Sequence, residues 1–144
     1  MSRQIKNIIT ITVFLICIGL INIAGQNIDI EIRGINAFTY ILIIAVLLQI
    51  IFFIPSFLLK TEKYYDLVGS LTYVTTVSLA YFAVENKTMI DSIIYFYVMV
   101  WASRLGIYLF RRVRNDGKDV RFEKAKRHFF WFLQYWMGQA LWVS

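Results

Sequence analysis

Between Asn36 and Lys60 the chain runs 23 residues, AFTYILIIAVLLQIIFFIPSFLL, without one charged side chain. A helix needs about 20 consecutive apolar residues to cross roughly 30 Å of hydrocarbon. Four further apolar segments occupy residues 8–24, 67–84, 92–110 and 129–144. All five are continuous runs, not the alternation a membrane barrel requires, so the pattern argues for helix and against sheet. Only 17% of the 144 residues are charged, against about a quarter in soluble domains, and the charges gather between the apolar blocks. The expected fold is an all-α polytopic membrane protein with about five transmembrane helices, forming one domain over residues 1–144. No internal repeat or linker divides it. The start "SRQIK" is basic, but "IAG" before Gln26 is a poor cleavage site. Residues 8–24 are therefore expected to be a retained helix and not a removed signal.

Lys and Arg flank the segments in the order two, one, two, one and eight, the last group lying in residues 111–128. The excess of positive charge on cytosolic loops places the N-terminus, the "KTEKYYD" turn and a basic loop over 111–128 in the cytosol. The protein is expected in the cell membrane as a multi-pass chain whose last segment runs outward. A net charge of +6 concentrated beside a membrane segment points to topology or anionic lipid at 111–128, and not to nucleic acid. Cys17 is the one cysteine, so no internal disulfide forms. His128 has no second histidine, carboxylate pair or cysteine cluster to join it, and no metal site is expected.

Polar groups inside apolar segments are where function is sought, because an unpaired polar group in hydrocarbon costs several kcal/mol. The third segment carries Ser70, Thr72, Thr75, Thr76 and Ser78. They suit hydrogen-bonded packing between helices, with Gly69 and Ser70 allowing close approach, or alternatively a polar cavity lining. Asp66 is expected to cap that helix, with a partnership to Arg104 as an additional role. Tyr64 and Tyr65 suit the headgroup boundary, and Pro55 is expected to kink the second helix. Arg104 lies six residues before Phe110, about 9 Å below the helix end. Its side chain either snorkels to the interface or joins Tyr108, Arg111 and Asn115 in one helical stripe. Two guanidinium forks and a phenol suit a phosphate or carboxylate. Asn115, Asp116 and Gly117 read as a turn. Trp131 and Trp142 suit the two membrane boundaries, and Gln134, Gly138 and Gln139 suggest helix contacts.

Three blocks carry a family resemblance: "TEKYYDLVGSLTYV" (61–74), "WASRLGIYLFRRVRNDGKDVRF" (101–122) and "FWFLQYWMGQALWV" (130–143). In content, order and separation they resemble the bacterial, largely uncharacterised branch of the steroid 5-alpha-reductase-like membrane family (domain of unknown function 1295). The resemblance covers residue 61 to the end. It implies an all-helical protein that uses NADPH to reduce an activated carbon–carbon double bond in a lipid-like, hydrophobic small-molecule substrate. It assigns Arg104, Arg111, Asp119 and Arg121 to cofactor binding and leaves the catalytic residues unknown. Phe122 stands where many members have tyrosine. Members continue through further helices to a segment like "RHPNYFGE", which has no counterpart in these 144 residues. The expectation is therefore a truncated member, a fragment or a short form that oligomerises, inactive or incomplete as it stands. The alternative is a non-catalytic membrane protein whose basic loop binds anionic lipid or a protein partner. A transporter is disfavoured, since no acidic residue lies deep in an apolar segment.

Overall fold

The computed structural model describes residues 2–116 and 121–144. Among them the chain forms five α-helices: α1 (Arg3–Ala24), α2 (Ala37–Leu58), α3 (Tyr65–Ala83), α4 (Met89–Asp116) and α5 (Phe129–Val143). The all-α expectation holds. Of the described helices, α1, α2 and α4 are long and apolar enough to cross a membrane. The other two differ from the expected five spans for physical reasons. α3 has 19 residues diluted by hydroxyl side chains, and the 15 residues of α5 rise only about 22 Å.

A small hairpin interrupts the expected absence of sheet. Strands β1 (Glu31–Ile32) and β2 (Ile35–Asn36) pair antiparallel between α1 and α2. Arg33 and Gly34 both take positive φ, 55° and 76°, which gives a two-residue turn matching the strands' twist. Asn36 ends the hairpin and starts α2: its Oδ1 accepts from the N–H groups of Phe38 and Thr39. Its Nδ2 donates to the Ile28 carbonyl at 2.7 Å.

α2 continues past Pro55 to Leu58 and closes in a Schellman motif. The Thr61 N–H donates to Ser56 O and the Lys60 N–H to Phe57 O, with Lys60 left-handed at φ 50°. The reversal lays α3 against α2. α3 packs most extensively on α4, and α1 on α5. At the α3–α4 crossing Ser70 faces Gly106 and its hydroxyl donates to the Ala102 carbonyl. Gln49 donates to the Thr72 hydroxyl at 2.9 Å, both residues fully buried. The hydroxyls of Thr72, Thr75 and Thr76 also donate to carbonyls one turn back. The polar face of α3 is thus used in packing. Phe53, Val68, Phe122, Phe132, Trp136 and Met137 make the core.

The starts of α1 and α5, the α2–α3 turn and the end of α4 meet at one end of the bundle. Arg3 lies over Trp131, Tyr64 stacks on Phe110 and Lys126 pairs with Glu62. Eleven described Lys and Arg residues belong to those segments, whereas the opposite end carries Arg33 and Lys87. Between the ends, apolar side chains such as Val13, Ile16, Leu20, Ile51 and Phe96 are exposed, as a lipid-facing surface requires.

Candidate functional site

The basic block does not begin as a loop. α4 stays helical through Asp116, six residues beyond the expected boundary at Phe110. Nothing in "RRVRND" breaks a helix, and arginine is among the better helix formers. Of the expected turn, Asn115 and Asp116 are therefore helical, while Gly117 lies outside the described residues. The extension keeps Arg104, Tyr108, Arg111 and Asn115 on a single helix. Together with Ile107 and Arg112 they line an open recess of about 620 Å³.

Asp66 does something other than capping. The cap position of α3 is Tyr64, with no side-chain bond to the helix, and Asp66 sits in the first turn facing two arginines. Its Oδ2 lies 3.5 Å from Arg121 Nη2 and 3.8 Å from Arg112 Nη2. Its cationic partners among the described residues are thus Arg112 and Arg121, and not Arg104. Among the described residues no carboxylate lies within 4.0 Å of Arg104 or Arg111. The recess consequently presents two guanidinium groups whose charge no described acid offsets.

The segment after the recess is clamped to α3 and α5. Phe122 is buried, its ring 4.7 Å from Tyr65 and 4.8 Å from Tyr135. Tyr65 donates its hydroxyl to the Tyr135 carbonyl at 2.9 Å. Lys126 Nζ lies 2.6 Å from Glu62 Oε2, and the Glu62 side chain is only 3% exposed. This clamp fixes Arg121 beside Asp66 and Phe122. Of the four residues assigned to cofactor binding, Arg104 and Arg111 share the recess and Arg121 lies against Asp66. Asp119 lies outside the described residues.

Two features escaped the sequence. The Glu62–Lys126 pair joins residues 64 apart, and no periodicity signals such a contact. An apolar pocket of about 400 Å³ opens between α2 and α3, lined by Phe52, Pro55, Leu59, Tyr64, Leu67 and Leu71 among others. Pro55 within the second apolar segment is the one sequence signal for it. Tyr64 lines the apolar pocket, and its ring stacks on Phe110 of α4 at 6.3 Å, one residue before Arg111 in the chain.

The fold and its polar end define a helical membrane protein with a guanidinium-lined recess on α4 and an apolar pocket between α2 and α3. The chain belongs to the family described as "Protein of unknown function (DUF1295)", whose sequence profile matches residues 52–144. That stretch contains all three sequence blocks and every lining residue of both sites. No curated protein and no solved structure matches the chain.

Proposed function

We propose that the chain is a reductase-like membrane protein of the steroid 5-alpha-reductase type, whose Arg104–Arg111 recess takes phosphate groups of NADPH. The observation that carries this reading is the pair of guanidinium groups in one recess with no described carboxylate beside either. Planar forks bind phosphate oxygens in pairs, and Tyr108 and Asn115 add donors along the same wall. When bound, NADPH supplies a hydride for an activated carbon–carbon double bond. The chain's own part is to hold the phosphates and, through Asp66, to fix Arg112 at the edge of the recess. The α2–α3 pocket suits the hydrocarbon part of a lipid-like substrate. On this reading the basic end faces the cytosol.

All six lining residues come from α4, so the recess offers one wall. Weak NADPH binding and little turnover are expected from this chain by itself. The same single wall favours the alternative, a non-catalytic protein whose basic segment holds anionic lipid or a partner. Limited proteolysis separates the two. NADPH is expected to slow cleavage of the wild-type chain and not of Arg104→Ala. Equal protection of both, or of neither, removes the support for cofactor binding.

A further inference from the structure

A second recess, of about 600 Å³, lies at the same end between the starts of α1 and α5. Arg3, Gln4 and Asn7 line it from α1, and Arg127, His128 and Trp131 from the α5 side. None of these residues belongs to the α4 recess. The Arg3 guanidinium stands 4.7 Å over the Trp131 ring, and the His128 ring stacks beside the same tryptophan. Among the described residues neither Arg3 nor Arg127 has a carboxylate within 4.0 Å. No side chain caps α5 at His128, so the positive end of that helix adds to the field of the two arginines.

The chemistry that suits this recess is a phosphate group: two guanidinium forks, two amide side chains and an uncapped helix start converge on it. The walls say where the phosphate comes from. Phe129 and Phe130 line the recess. Ile8, one turn beyond Gln4, and Phe129 are 40% and 45% exposed, so an apolar surface leads from the recess along α1, itself a candidate membrane span. A soluble nucleotide has no use for that surface, whereas acyl chains do. We propose that the α1–α5 recess binds the phosphate headgroup of an anionic glycerophospholipid, whose chains lie against α1. The bound lipid reinforces the join between the start of α1 and the start of α5, 126 residues apart, where Arg3 already stands over Trp131.

The test uses the full chain in mild detergent with equal amounts of phosphatidylglycerol and phosphatidylcholine, and counts retained lipid by native mass spectrometry. The wild-type chain is expected to retain phosphatidylglycerol at least about fivefold over phosphatidylcholine. Arg3→Gln/Arg127→Gln is expected to lower phosphatidylglycerol retention about tenfold with an unchanged melting temperature. Arg104→Gln/Arg111→Gln is expected to retain it like wild type. Equal retention of the two lipids by wild type overturns the proposal, as does undiminished retention by the Arg3/Arg127 variant. Displacement of phosphatidylglycerol by free NADPH in the Arg104/Arg111 variant overturns the lipid assignment in favour of a soluble phosphate.

Discussion

Adding one methyl at Gly106 forces α3 and α4 apart. A Cβ there meets Ser70 Oγ at 2.5 Å and Ser70 Cβ at 2.6 Å. Carbon atoms in contact prefer about 3.5–4.0 Å, so the helices must separate by roughly 1 Å. Overpacking of this kind costs about 1–3 kcal/mol. Loss of the Ser70 bond to Ala102 adds about 1 kcal/mol, and exchanging glycine for alanine in a helix returns about 1 kcal/mol. Gly106→Ala is thus expected to destabilise the chain by about 1–3 kcal/mol. Ser70→Gly alone removes a hydrogen bond and introduces a helical glycine, at about 2 kcal/mol. The double variant has no clash and exchanges one helical glycine for another, so it should cost only about 1 kcal/mol. The assay is an SDS titration of the detergent-solubilised protein followed by circular dichroism. Additivity of the two substitutions within about 0.5 kcal/mol would refute the close crossing, as would equal rescue by Ser70→Ala, which keeps the Cβ.

The same titration tests two other contacts. Lys126→Met should cost about 3 kcal/mol, because it takes the Lys126 ammonium away from the buried Glu62 carboxylate. Glu62→Gln should cost less, about 1–2 kcal/mol, since the Lys126 side chain is 20% exposed and can reach water. The reverse order contradicts the burial asymmetry. Lys60→Gly should stabilise by about 0.5–1 kcal/mol, because glycine adopts the left-handed closing position of α2 without a Cβ penalty. A destabilised Lys60→Gly variant would show that the lysine stem contributes more than its backbone strain costs.

The helices were legible wherever apolar runs set them, and their ends were not. α4 overran Phe110 because charge, unlike proline or glycine, does not stop a helix. The Arg104, Tyr108, Arg111, Asn115 stripe was legible for the same reason that it is incomplete as a site: one helix carries all of it, so spacing alone predicts it. Asp66 illustrates the opposite case. Its position suggested a cap, but Arg112 and Arg121 approach from distant parts of the chain, and a near-buried carboxylate turns to them. The apolar pocket and the α1–α5 recess are both built from separate helices, and their linings become neighbours only after packing. The hairpin turn at Arg33 and Gly34 depended on an arginine taking positive φ, which composition gives no reason to expect.

Arg104 and Arg111 are proposed to hold phosphate together. The most direct test of that role is an NADPH titration of wild type and Arg104→Gln/Arg111→Gln, matched in melting temperature and run at low and at 0.5 M salt. Two charge-assisted hydrogen-bonding groups, each contributing about 1.5–3 kcal/mol when desolvated, are screened at this open recess. At least about a tenfold loss of affinity is expected in the variant, together with a wild-type affinity that falls with salt. Identical binding curves for the two proteins would contradict the proposal.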